Sequence, residues 1–277
     1  NTYTINVNAG ANGKVTINRT DAEGQITTTE VSNDTENITV RHGERIELVA
    51  AATTDGYHFT NWEDNSTVST RTITFNDATY EHGDDFEYTA SFAINVYDIT
   101  VNAGTNGKVT INREGYNPQD VNANGTVTIT VSHGEEIELV ASATTEGYHF
   151  DNWSDDANAT ASRTISFNGS NYTNGDDFSY TANFDINTHT VSVSAGANGS
   201  ITSVSYVRGG NTENPVQVSA TNGVYSYTAE YGDVLTIETE ADAGYHIVSW
   251  TDNNVTTTTT SDEREITFDA TNYTDGG

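Results

Sequence analysis

The side chains best suited to chemistry in this chain are its seven histidines and forty carboxylates, and several of them recur in pairs. His42 and His58, then His133 and His149, could meet across adjacent strands as imidazole ligands of zinc. Tyr231 takes the place of the first histidine when the pattern comes round a third time, and two imidazoles without a third ligand make a poor metal site. Hydrogen-bonded structural histidines are therefore the expectation. "NDATYEHGDDF" from Asn76 and "NGSNYTNGDDF" from Asn168 gather Asx oxygens, the hard ligands that calcium takes. Asp84 and Asp85, with Asp176 and Asp177, are the candidate calcium ligands, and calcium is the one cofactor considered. Neither loop follows EF-hand spacing, so a solvated acidic turn is the favoured reading of both.

Other chemistries are limited by composition. Cys and Met are absent, which removes disulfides, thiolate metal sites and thiol nucleophiles and suits an exposed, oxidising location. Lys14 and Lys108 follow Asn-Gly turns and Ser200 fills the third equivalent position, so a buried Lys-Asn cross-link is not expected. Twelve Asn-x-Ser/Thr triplets, Asn18, Asn65 and Asn158 among them, are a slight excess over what composition alone predicts. The net charge of -30 repels nucleic acid and anionic membrane and favours solubility and cation binding. No run of 18 apolar residues is present, so no membrane insertion is expected in this segment. With no initiating Met and no signal peptide, the chain reads as an interior piece of a longer protein.

The elements that carry these residues repeat. "GYHFTNW" at Gly56 returns as "GYHFDNW" at Gly147 and "GYHIVSW" at Gly244. In an extended strand Phe59 and Trp62 point to opposite faces, so burying both rings requires a bulge. A sugar-binding platform with Tyr57 and Trp62 exposed is the functional alternative. Ile247, standing where Phe59 and Phe150 do, suits a core better than a stacking site. An active site occurs once in a chain, whereas these residues recur, as structural parts do.

Low apolar content and high charge lie in the range of disordered chains, but strict alternation, as in "YTINVNAG" and "RIELVA", argues for strands. Forty Val and Ile against three Leu point the same way. The openings at Asn1, Asn95 and Asn187 align, dividing the chain into repeats 1–94, 95–186 and 187–277. Within each, a strand such as Tyr3 to Val7 is expected to turn at Gly/Asn and return through Lys14 to Ile17 as a hairpin. A variable acidic, Thr-rich segment follows. Then come a Gly turn with a strand ("HGERIELVA", "HGEEIELVA", "YGDVLTIET"), the GYH block, a strand such as "RTITF", and a closing strand such as "FEYTASF". The third repeat is expected to lack its closing strand, since the sequence ends at Gly276-Gly277. Linkers "AINVY" and "DINTH" hold no Pro and no Gly-Ser run, so neighbouring repeats should abut semi-rigidly.

Tyr3-Ile5-Val7, Gly43-Ile46-Leu48-Ala50, Gly56-Tyr57-Phe59-Trp62 and Ala90-Phe92 form a pattern that returns from Tyr97 to Phe184. It resembles the internalin-B-type repeats, also called Listeria–Bacteroides repeats, and their divergent relatives on bacterial surface proteins. These units are longer than is usual for that family, through insertions around "NRTDAEGQ" and "NDATYEHGDD". The resemblance implies an all-β chain of three small repeats, β-grasp-like or sandwich-like, in an elongated array, with no catalysis. It implies a stalk or spacer segment of an adhesin-like protein, secreted or on a cell surface. Two alternatives stand beside it: a filament subunit assembled by strand donation, and a carbohydrate-binding module. Partners would be a surface ligand or neighbouring copies of the same chain.

Overall fold

Apolar–polar alternation becomes β-strand almost wherever it occurs. The computed structural model describes residues 1–76, 80–169, 172–210, 214–253 and 255–269. Its first eight strands are β1 (Thr2–Ala9), β2 (Gly13–Thr20), β3 (Ile26–Ser32), β4 (Thr35–Arg41), β5 (Arg45–Ala52), β6 (Tyr57–Trp62), β7 (Thr70–Thr74) and β8 (Asp85–Ile94). They form two four-stranded sheets, β4-β1-β8-β6 and β3-β2-β5-β7. One core serves both. Tyr3, Ile5 and Val7 of β1 pack in the same cluster as Val15 and Ile17 of β2 and Ile46 and Leu48 of β5. Of the two expected architectures, the first repeat therefore takes the sandwich.

The hairpin expected between Tyr3–Val7 and Lys14–Ile17 does not form. Both edges of β1 are already occupied, one by antiparallel β4 and the other by parallel β8. The turn at Gly10–Gly13, with Asn12 at φ 70, carries the chain across to the second sheet, where β2 pairs with β3 and β5. The segment read as variable also folds. Its Thr-rich run is β3 and β4, joined through Asn33 at φ 50.

The bulge expected in the GYH block is present. β6 pairs antiparallel with β8, and the register shifts between Phe59 and Asn61. That slip places Phe59 beside Trp62, ring centroids 5.5 Å apart, and edge-on to Phe92 of β8 at 5.9 Å.

Eight further strands repeat the plan: β9 (Val96–Ala103), β10 (Gly107–Arg113), β11 (Gln119–Val121), β12 (Thr126–Ser132), β13 (Glu136–Ala143), β14 (Tyr148–Trp153), β15 (Ser162–Ser166) and β16 (Asp177–Ile186). Their sheet orders, β12-β9-β16-β14 and β11-β10-β13-β15, match those of the first eight strand for strand.

The remaining described strands are β17 (Thr188–Ser194), β18 (Gly199–Val207), β19 (Val216–Gln217), β20 (Ala220–Thr221), β21 (Val224–Glu230), β22 (Val234–Ala241), β23 (Ser249–Asp252), β24 (Val255–Thr258) and β25 (Glu263–Thr267). One sheet is complete as β19-β18-β22-β25, but the other is only β17-β21-β20, with β23 and β24 as a separate hairpin. The expectation that this repeat stops short of a closing strand concerns its last residues, and 270–277 lie outside the described residues. By backbone proximity the chain falls into two compact units. One holds Asn1–Thr100, Thr128–Ile137 and Thr164–Ser179, and the other Val101–Val127, Glu138–Arg163 and Tyr180–Gly277.

Candidate functional sites at the repeat joints and along β17

The tryptophans come first, because a sugar platform would need them exposed. Trp62 is 0% exposed and Trp153 1%. Each indole N–H donates to a backbone carbonyl at 2.9 Å, Val68 for Trp62 and Thr160 for Trp153. An arginine covers each ring: Arg71 lies over Trp62 and Tyr88, at 5.4 and 4.9 Å, and Arg163 over Trp153 and Tyr180, at 5.6 and 5.3 Å. These residues lock the core and leave no indole face for a ligand.

The histidines do not meet as the pairs the sequence offered. They build joints where one repeat follows another. Within the first compact unit, Asn95 N–H donates to Gly56 O at 2.7 Å and His133 N–H donates to Asn95 O at 2.9 Å. His58 Nδ1 lies 2.9 Å from Asn95 Oδ1, and His133 Nδ1 lies 2.9 Å from the Tyr97 hydroxyl. The His133 ring rests on Gly56, where an added Cβ would come within 2.0 Å of it, and Gly56 has φ +73. Two independent demands thus fix glycine at 56. Asp55 Oδ2 stands 3.7 Å from His133 Nε2.

The second compact unit contains the same joint with one exchange. Asn187 N–H donates to Gly147 O at 2.8 Å, Tyr231 N–H to Asn187 O at 2.9 Å, and His149 Nδ1 lies 2.9 Å from Asn187 Oδ1. Tyr231 takes the place of His133, its ring on Gly147. Burial, followed by a hydrogen bond to Glu146, raises the phenol pKa of Tyr231.

The candidate calcium ligands serve their own loops. Asp84 Oδ2 accepts the Glu81 N–H and Asp176 Oδ2 the Thr173 N–H, both at 2.7 Å, while Asp85 and Asp177 are exposed at the starts of β8 and β16. Among the described residues no group of three or more His, Asp or Glu side chains is placed to hold a metal ion. Residues 77–79 and 170–171 of these loops lie outside the described residues. Lys14 and Lys108 form ion pairs across strands, with Glu30 at 2.7 Å and Asp120 at 2.9 Å.

One recurrent polar site went unread in the sequence. The acidic residue after the Gly turn is buried: Glu44 is 4% exposed and Asp233 0%. Arg19 grips Glu44 with Nε at 3.0 Å and Nη2 at 2.7 and 2.8 Å, and Glu44 also accepts the Arg41 N–H. Asp233 accepts from the Glu230 N–H at 2.9 Å and from Arg208 at 3.2 Å. Burial pushes the Asp233 carboxyl pKa up, against the pull of that hydrogen bond and of Arg208. The signal was available in "HGE", "HGE" and "YGD", where an acid follows the turn glycine each time.

Along β17 the third repeat departs from the plan. Val191 and Val193 correspond to the fully buried Ile5 and Val7 but are only half-buried, and Ala195 is exposed where Ala9 is buried. Among the described residues β17 pairs with β21 alone. Tyr245 and Val248, of the third GYH block, are 58% and 59% exposed, and no strand forms until Ser249. A groove of about 710 Å³ remains, lined by Val191, Val193, Leu235, Ile237, Trp250 and Ile266 among others.

Paired β-sheets, repeated along the chain and joined through glycine–histidine and glycine–tyrosine contacts, define a tandem-repeat β protein without a metal-binding group among its described residues. The divergent InlB B-repeat domain matches residues 119–188 and 214–274, and the Listeria-Bacteroides repeat domain matches residues 3–85. The chain belongs to this repeat family. No curated protein matches it. Among solved structures, the Bacillus anthracis TIE protein is similar at 10% identity and TM-score 0.44, over 96% of this chain and 48% of that one. The chain thus spans about half the length of that protein. A streptococcal ancillary pilin is similar at 9% identity and TM-score 0.29, over 95% and 96% of the two chains. The shaft pilin SpaA of Lactobacillus rhamnosus GG is similar at 8% identity and TM-score 0.24, over 65% and 96%. Likeness at these scores carries no argument about function. No helix among the described residues is long and apolar enough to cross a membrane.

Proposed function

We propose that this chain is a non-enzymatic stalk segment of a secreted or cell-surface adhesin-like protein, built as repeats 1–94, 95–186 and 187–277. The observation that carries the reading is the joint. The same asparagine, glycine and histidine contacts are made at Asn95 and again at Asn187, with only His133 exchanged for Tyr231. A freely swinging linker would need none of these bonds, whereas a spacer that holds its direction needs them at each junction. Membership of a repeat family known for surface proteins supports the location, and the burial of Trp62 and Trp153 weighs against the carbohydrate-binding alternative.

Spin labels placed on either side of Asn95 test the proposal. A stalk gives a narrow distance distribution that broadens in a Gly56→Leu variant, whose side chain meets the His133 ring. A distribution already broad in the unaltered chain, and unchanged by the substitution, would remove the stalk reading.

A further inference from the structure

We infer that the turn Glu230–Asp233 is a proton-operated latch on the joint at Asn187: a neutral Asp233 side chain holds Tyr231 seated on Gly147, and ionisation of Asp233 loosens it. This goes beyond the stalk reading and does not depend on it. It rests on how the third repeat alters a polar site that the first repeat completes.

In the first repeat both oxygens of Glu44 are satisfied. Arg19 Nη2 donates to Oε1 at 2.8 Å, while Arg19 Nε, at 3.0 Å, and the Arg41 N–H, at 2.9 Å, donate to Oε2. Arg19 reaches the acid because it stands opposite Ile46, two residues beyond Glu44, where β2 pairs with β5. The matching place, opposite Leu235, is held by Tyr206. The arginine has moved two residues on, to Arg208, at the start of the short 3-10 turn Arg208–Gly210. From there a single nitrogen is shared: Arg208 Nη1 lies 2.7 Å from Glu230 Oε1 and 3.2 Å from Asp233 Oδ2, and its guanidinium lies over the Tyr206 ring at 5.1 Å.

Asp233 is left incomplete. Its Oδ2 also accepts the Glu230 N–H, but its buried Oδ1 has no hydrogen-bond partner among the described residues. A second such oxygen belongs to the same cluster. Tyr227, stacked on Tyr206 with centroids 4.6 Å apart, has its hydroxyl buried and equally without a partner. Burial and then the Asp233 charge raise the Tyr227 phenol pKa, so the two groups are within electrostatic reach of each other. The groups that bear on this cluster are Arg208 from the 3-10 turn, Glu230 and Tyr227 from β21, and Tyr206 from β18. With Asp233 ionised, two carboxylates face one guanidinium, and one of their oxygens is buried and unsatisfied. One proton taken from solvent removes the excess charge, and the new Oδ1–H has the Tyr227 oxygen as its acceptor.

The turn that this side chain closes carries Tyr231. Asp233 N–H donates back to Glu230 O at 3.0 Å; between the two residues, Tyr231 N–H donates to Asn187 O at 2.9 Å and Gly232 N–H to Phe268 O at 2.7 Å. The Tyr231 ring rests where a Cβ on Gly147 would come within 2.1 Å of it, and Glu146 and Asp269 are the charges that bear on its phenol. Because the folded pKa of Asp233 is raised, the latch closes as pH falls through that raised value.

The chain has no cysteine, so two introduced ones, one in 95–186 and one in 187–277, take spin labels cleanly. The distance distribution across Asn187 is followed from about pH 8 to about pH 4, a span that brackets ordinary and raised carboxylates. It should narrow as pH falls in the unaltered chain. In Asp233→Asn, whose neutral amide imitates the protonated acid, it should be narrow throughout. Tyr227→Phe removes the acceptor and should move the narrowing to lower pH, with no loss of melting temperature at the alkaline end, since the deleted hydroxyl has no partner there. A distribution in the unaltered chain that does not change with pH overturns the proposal. So does a pH response that survives in Asp233→Asn, or an unshifted midpoint in Tyr227→Phe. Labels across Asn95 are the control: an equal narrowing there in Asp233→Asn would show a general tightening of the chain and overturn the latch as well.

Discussion

At the scale of single residues, the same motif has two fates. Trp62, with no exposed surface, should cost roughly 3–5 kcal/mol when replaced by alanine, the range for a fully buried aromatic. Trp250, half-buried at the same place in the third block, should cost clearly less. Urea denaturation followed by far-ultraviolet circular dichroism compares the two without relying on indole emission. Asp233 supplies a pH dependence. Its folded pKa lies above the unfolded one, so the folded state binds the proton more tightly. Its contribution is fully favourable below the ordinary carboxylate range and is lost as pH rises through the raised value. Asp233→Asn should therefore make the melting temperature rise more steeply, or fall less, as pH increases between the ordinary carboxylate range and the raised value, and an unchanged slope there would contradict this account. Tryptophan burial and the bulge before it could be read from "GYHFTNW", because two rings on opposite strand faces demand a bulge. The Arg19–Glu44 grip could not, since its partners are twenty-five residues apart and neither is apolar.

At the scale of elements, alternation located β1, β2, β5, β6 and β8 but did not say which of them pair. A strand's own sequence marks which face is buried, not who lies along its edges. The turn at Gly10–Gly13 therefore looks like that of a hairpin in the sequence, although β1 has β4 and β8 on its two edges. β3 and β4 carry little apolar period, because their Thr- and Asx-rich faces are largely exposed. Closing-strand contact is open to a direct comparison. Gly10→Val places a side chain against the Ala90 carbonyl and should lower stability by about 1–3 kcal/mol, the usual cost of overpacking. Gly196→Val, at the matching site, should lower it by nothing measurable. Equal losses would show that the two glycines answer to turn geometry rather than to a neighbouring strand.

At the scale of the whole molecule, forty acidic side chains against ten basic ones make self-repulsion a general load on the folded state. Millimolar calcium and magnesium should therefore raise the melting temperature alike, by screening. A response to calcium alone would instead place the ion at the Asp84 and Asp176 loops. The repeat count could be read in the chain's self-alignment, but the joints could not. They depend on Asn95 and His133, or Asn187 and Tyr231, arriving together from distant blocks. The parallel pairing of β1 with β8 has one more consequence. Tension applied along the chain enters the first repeat at Asn1, ahead of β1, and leaves it after Ile94, at the far end of β8. Because the two strands run the same way side by side, such a pull slides one against the other. The hydrogen bonds from Thr4–Asp85 to Ala9–Ala90 then share the load and must fail together, instead of opening one after another like a zip. The arrangement that closes the fold is therefore also the one that lets the repeat bear force along its length.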